Sequence, residues 1–380
     1  MIRSPRWLLA SAAVGAAGVG ASWSFSPPER FWSNWLLWFL FFATLALGAL
    51  FLVALEHLVG ARWSVPLRRM PERLSSLLFL AAALGAAALL SLPVLYPWTR
   101  PEAHHDPFVV GKLHAWLNAP FFSARFVACV ALWVLSYWVL VRGSLRQDAT
   151  ADPALTVRFR RFAPAFMAIY AVSVTLLAFD WLSSLDPAWY SDIFGVYVFA
   201  GSFLSGLAAT ALGAVHLLER GRLGGVRRDH LYNLGGFLFA FTVFWSYIGF
   251  AQYMLMWYAD LPEEVYWYAD RTGSGWQFVV LGLAVVHFVI PFFALIPREK
   301  KGEHGPLKRI AALYLLAHLL DLYWLIFPSN FKSPVFSWPE ASFAIFFVSV
   351  GFLWVRRSMA MGRDAPEGDP FLKEGLEFRL

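Results

Sequence analysis

The chain has 380 residues, of which 59% are hydrophobic and only 15% charged, against about 45–50% and about 25% in an average soluble domain. Its mean hydropathy is +0.56, and with 19 Trp and 36 Phe this excludes an ordinary soluble globular protein and points to a multi-pass membrane protein. The net charge of +6 matters less than where the charges lie, and nothing in it marks a nucleic-acid partner. The lone Cys129 rules out an internal disulfide, a CxxC redox pair and a four-cysteine iron–sulfur or zinc site.

A helix needs about 20 apolar residues to cross the hydrocarbon. In chain order, such runs predict ten spans at 7–25, 35–58, 74–97, 119–141, 163–185, 193–218, 231–258, 275–297, 309–328 and 339–356. The first, MIRSPRWLLASAAVGAAGVGAS, has a basic start and small apolar residues, which also describes a signal peptide; a retained helix is the reading adopted here. Span six carries Gly201, Ser205, Ala209 and Gly213 at a spacing of four, and span seven has Gly235, Thr242, Ser246 and Gly249 on a similar stripe. Small residues at that spacing let helices approach closely in lipid. Pro291 is expected to kink span eight or free a carbonyl.

The basic residues test this topology. With the N-terminus inside, 25 of the 31 Lys and Arg fall in inner segments, and only Arg30, Arg100, Lys112, Arg125, Arg271 and Lys332 fall outside. That bias places both termini in the cytoplasm. The outer segments carry more acids than bases, and aromatics cluster there, as in WYADLPEEVYWY (257–268). Residues 1–363 read as one transmembrane helical domain and 364–380 as a short, loose cytoplasmic tail.

Ionisable residues at bilayer depth cost about 2.5–3.5 kcal/mol on insertion scales and are functional candidates by default. Asp180 lies near the outer end of span five, with Ser173 and Ser184 on its face, and His287 is central in span eight. In span nine Tyr314, His318 and Asp321 fall at i, i+4 and i+7, on one face. Glu56 and His57, then His216 and Glu219, stand at inner helix ends, where charges also snorkel; Tyr247, Gln252 and Tyr253 could extend a path. Together Asp180, His287, His318, Asp321, Tyr314, Glu56, His216 and Tyr247 outline a proton path; the plainer alternative is a set of satisfied inter-helix pairs. His104, His105, Asp106 and His114 fit no metal motif and read as a solvated loop. Two axial haem ligands at equal depth are not evident.

Two long aromatic stretches, FDWLSSLDPAWYSDIFGVYVFAGS (179–202) and FWSYIGFAQYMLMWYADLPEEVYWY (244–268), resemble ActF-type subunits of bacterial alternative complex III, a quinol:cytochrome c oxidoreductase, and more widely the NrfD/PsrC-type membrane subunits. The likeness covers nearly the whole chain. It implies an all-α fold of two four-helix bundles, spans two to five and six to nine, plus additional helices, in the bacterial inner membrane. It also implies partners: a multihaem cytochrome c, an iron–sulfur subunit and an ActC-like sister subunit. Haem and iron–sulfur centres would reside in those partners, with none in this chain. Quinone binding and a contribution to proton translocation are implied for the family, without a definite quinone site here. The family pattern favours Asn where this chain has Asp260. A structural scaffold of the same complex and a stand-alone secondary transporter are the competing readings.

Overall fold

The computed structural model describes residues 5–360 and 362–380, apart from the side chains of His104 and Phe108. Arg3 lies outside the described residues. Among the described residues, ten helices are long and apolar enough to span a membrane: α1 (Arg6–Phe25), α2 (Pro28–Val59), α3 (Val65–Leu95), α4 (Ala119–Thr150), α5 (Pro153–Leu185), α6 (Phe194–Glu219), α7 (Arg228–Ala259), α8 (Trp276–Leu295), α9 (His304–Ser329) and α10 (Trp338–Ser358). No strand occurs among the described residues. Each expected span is present. The main difference is length: α3, α4 and α5 run well past the apolar runs at their Arg-rich ends, as α4 does through Arg142 and Arg146 to Thr150. Hydropathy marks where the hydrocarbon ends, whereas backbone hydrogen bonding carries a helix beyond it.

The ends are set by local chemistry. The Asn118 side chain caps α4, Asp152 caps α5 ahead of Pro153, and Ser337 with Glu340 forms a capping box on α10. Asp260 ends α7 in a left-handed conformation (φ 49°), which Asp and Asn adopt more readily than other side chains. An aspartate suits that backbone demand.

Helices α2–α5 pack as one group and α6–α9 as a second, with α2 and α6 back to back between them. These two are the innermost helices, with 89% and 83% of their apolar windows buried. Their crossing depends on glycines. A Cβ on Gly48 would collide with the Ser202 backbone, and one on Gly206 with the Gly48–Ala49 backbone. This close approach is the small-residue packing expected of membrane helices, but it uses Gly206 rather than the stripe read from the sequence. Of that stripe, Gly213 abuts Met70 and Gly201 faces His318 and Asp321. The Ser202 hydroxyl donates to the Thr44 carbonyl (2.7 Å) across the crossing. Helices α1 and α10 form an outlying pair: Gly15 meets the Phe346 backbone, and Ser11 and Ser349 share a hydrogen bond of 2.8 Å.

The tail differs from expectation. It is docked, not loose. Gly368 lies against the Gln147 backbone, Asp369 is buried, and the helix Leu372–Glu377 sits on Pro66 and the Arg62 carbonyl through Gly375. His230 Nε2 bonds the Gly375 carbonyl (2.8 Å). Its polar composition suggested a solvated segment, but its acids meet buried arginines of α3, and an ionic seat of that kind has no apolar signature.

Candidate functional site

The polar centre of the second bundle grows from one face of α9. Tyr314, His318 and Asp321 are all buried there, as the helical spacing predicted. Each meets a group from another helix. Asp321 Oδ1 accepts from the Tyr197 hydroxyl of α6 at 2.5 Å. His318 Nε2 lies 2.8 Å from Thr44 Oγ1 of α2. Tyr314 and Thr242 of α7 share a hydrogen bond.

The directions of these bonds follow from proton counting. The single Thr44 hydroxyl proton goes to the Leu40 carbonyl (2.7 Å), so Thr44 accepts and His318 Nε2 donates. His318 Nδ1 then presents a lone pair, and it is buried without a partner. The same reasoning makes Tyr314 the donor to Thr242, whose proton goes to the Leu238 carbonyl (2.7 Å). Gly201 leaves the space into which His318 and Asp321 both face: a Cβ there would lie 3.4 Å from His318 Nδ1 and 3.7 Å from Asp321 Oδ2. Among the described residues no cation forms an ion pair with Asp321.

His287 joins the same centre. It stacks on Trp245 at 3.8 Å between ring centroids and lies 6.1 Å from the Tyr314 ring. Its Nδ1 is buried and unpartnered. It sits in a π-helical turn, Ala284–Val289, just ahead of Pro291. The wide turn accommodates a proline that has no amide hydrogen to donate, so the expected distortion falls on the functional candidate itself.

Beside this centre is a lipid-facing aromatic cleft of about 610 Å³ between α7 and α8. Tyr197 and Trp245 form its inner wall, Gln252 and Tyr268 its outer end, and Phe288 one flank. Gln252 Oε1 is buried without a partner. The cleft is therefore lined by the tyrosine whose hydroxyl holds Asp321. Neutral Tyr197 and Thr44 carried no signal as ionisable residues; Tyr197 could have been found only as part of the motif 179–202.

The other candidates fall elsewhere. Asp180 belongs to the first bundle and is not in hydrocarbon alone. Arg125 of α4 grips it twice, Nε to Oδ2 at 2.8 Å and Nη2 to Oδ1 at 2.7 Å, and Trp116 Nε1 adds 3.1 Å. The guanidinium also covers the Trp116 and Phe121 rings and donates to the Trp116 carbonyl. Asp180 thus clamps the 97–118 connection onto α5. Arg125, read from sequence as an outer charge, is buried at helix depth. Ser173 serves Trp133 (2.8 Å) rather than Asp180.

Tyr247 is 65% exposed at the mouth of the cleft, off the α9 chain of groups. His216 is half-buried at the Arg-rich end of α6, one turn from the exposed Glu219–Lys308 pair (2.5 Å). Glu56 and His57 are buried beneath the tail. His105 and His114 are exposed, no metal-binding group occurs among the described residues, and the His104 side chain lies outside them. On the aromatic-rich face, Arg271 is buried over the Trp267 ring (3.8 Å) and donates to Ser329 Oγ (2.8 Å); burial pulls its pKa down to about 10. Asp186 accepts from Tyr266 (2.7 Å), and burial raises its pKa.

No family model matches the chain, and no curated protein matches it either.

Proposed function

We propose that this chain is an integral, non-redox subunit of a bacterial respiratory quinol:electron-acceptor oxidoreductase of the alternative complex III type, with both termini cytoplasmic. The observation that carries this reading is the Tyr197–Asp321 pair at the back of a lipid-facing aromatic cleft. A hydrophobic isoprenoid quinol would enter such a cleft from the bilayer, stack on the aromatic walls and meet one polar pair, as ligand sites of this kind require. Quinol oxidation releases two electrons and two protons. Haem and iron–sulfur centres of partner subunits would take the electrons. The two protons pass in turn through the Tyr197 hydroxyl to Asp321, and His318, with its bare Nδ1 across the Gly201 gap, is the next acceptor. Asp321 suits that role because, among the described residues, no cation is paired with it to fix its charge.

The direct test is quinol:acceptor turnover and proton release in the whole complex reconstituted in vesicles. Asp321→Asn and Tyr197→Phe are expected to lower both while leaving assembly intact. Wild-type turnover in both variants would leave the scaffold reading standing. Proton-coupled solute flux by the chain alone would favour a transporter.

A further inference from the structure

The buried ionic cluster under the tail has a feature that the quinol reading does not use. Arg68, Arg69 and Arg73, all on α3, are buried, and Arg222 joins them from the α6–α7 connection. Their partners are Glu72 and Asp148 from the helices, and Asp364 and Asp369 from the tail. Arg69 pairs with Glu72 (2.5 Å) and Asp148 (2.6 Å), Arg73 with Asp364 (2.9 Å), Arg222 with Asp364 (2.8 Å), and Arg68 with Asp369. Four guanidinium groups therefore face four carboxylates, and the account is balanced without Glu56.

Glu56 is the carboxyl left over. It is 6% exposed, its Oε2 has no hydrogen bond, and the groups that act on it are Arg68, Ser64 and Glu72 from the α2–α3 connection and α3, and Asp369 from the tail. Its neighbour His57 is buried against Phe159 and faces Arg68 and Arg160. Arg68 has spare capacity: its Nε lies 3.5 Å from Glu72 Oε1 and makes no hydrogen bond. A buried carboxylate without a cation is costly, whereas one paired with a guanidinium is tolerated.

We propose that Asp369 and Glu56 are alternative partners of Arg68, so that the tail is a strap whose seating governs the charge on Glu56. With the strap seated, Arg68 is satisfied by Asp369 and Glu56 is a neutral acid closed off from the aqueous phase. When the strap lifts, Asp369 carries its charge into water. Glu56 then releases its proton to the same water and takes Asp369's place on Arg68. The cluster keeps its charge balance throughout, since one carboxylate leaves as another forms. The coupling is reciprocal: ionising Glu56 must loosen the strap as much as lifting the strap ionises Glu56. This device stands independently of what the second bundle binds.

Two measurements on the full-length protein in lipid test it. The first is the infrared band of a protonated carboxyl, assigned to Glu56 by its loss in Glu56→Gln. The band is expected in the wild type at neutral pH and absent in Asp369→Asn, while Arg222→Ala, which touches only the outer Asp364 contact, retains it. A Glu56 band that persists in Asp369→Asn, or that the wild type lacks, overturns the proposal. The second needs no tail variant: amide hydrogen exchange of residues 366–376, corrected for intrinsic pH dependence. Protection is expected to fall as pH rises in the wild type and to hold in Glu56→Gln. Equal protection in both proteins at every pH also overturns it.

Discussion

Asp180 and Asp321 occupy corresponding places in the two bundles. Each lies on the last helix of its bundle, and each stands seven residues before a proline, Pro187 or Pro328. Both carboxyls are buried. Their partners differ in kind. Asp180 holds a guanidinium in a two-pronged grip with an indole on the side. Asp321 holds a phenol and faces an unprotonated imidazole nitrogen across a gap kept open by glycine. A fixed positive charge pins a carboxylate in one protonation state and makes it a strut. A neutral donor leaves the proton free to come and go. In the function proposed here, the same residue type at the same place in the two bundles thus serves architecture in one half and proton transfer in the other.

Breaking the strut should give the largest effect. Arg125→Ala leaves Asp180 buried without its cation, a change that costs about 3–5 kcal/mol in comparable pairs. Thermal unfolding in detergent should show that loss, and Arg125→Leu combined with Asp180→Leu should recover most of it. A double variant as unstable as the single one would mean that the pair contributes something other than charge compensation. Asp321→Asn should behave in the opposite way. Asparagine still accepts from Tyr197, so stability is expected to move by no more than about 1 kcal/mol, while quinol turnover of the complex falls roughly 100-fold, the scale of a lost general base. Instability matching that of Arg125→Ala, with turnover retained, would erase the distinction between the two aspartates.

Tyr197→Phe should be milder. It removes one hydrogen bond worth about 1 kcal/mol and the hydroxyl that links the cleft lining to Asp321. Turnover is expected to drop about 5-fold, the same free energy expressed as a rate. If the quinol KM and the turnover are both unchanged, the cleft and the carboxyl are not connected through Tyr197.

The sequence held the two aspartates in nearly equal light, and the reason is physical. Hydropathy locates spans because the bilayer acts on each residue in order along the chain, so all ten helices were legible. The i, i+4, i+7 face of α9 was legible because helical periodicity is local. Arg125 was read as an outer charge because its place beside Asp180 depends on how α4 leans on α5, which no local pattern encodes. Gly206 was missed as the closest crossing point because several small residues on α6 satisfy the same spacing rule, and only the partner helix selects among them. The tail was read as loose because acidic, polar sequence looks the same whether its carboxylates meet water or Arg68 and Arg73.

The smallest expected effect concerns Asp186, and it bears on the premise of the comparison. Like Asp321 it is held by a tyrosine hydroxyl, Tyr266 at 2.7 Å, but it lies in the turn after α5, outside the spans, with Arg271 close enough to favour its charge. Burial nonetheless outweighs both partners and raises its pKa above the usual carboxylate value. The folded protein therefore binds this proton more tightly than the unfolded chain. The stabilisation is fully present below the unfolded value of about 4 and is lost as pH rises through the folded value. Melting temperature measured across mildly acidic pH should carry a small downward slope from this group. Asp186→Asn should remove the slope, and Asp192→Asn, at an exposed position, should leave it in place. An upward slope would mean that a phenol, with a nearby guanidinium, fully compensates a half-buried carboxylate. The inference that Asp321 is free to exchange its proton because neutral groups hold it would then lose its footing, since the weaker case at the surface would already behave as a fixed charge.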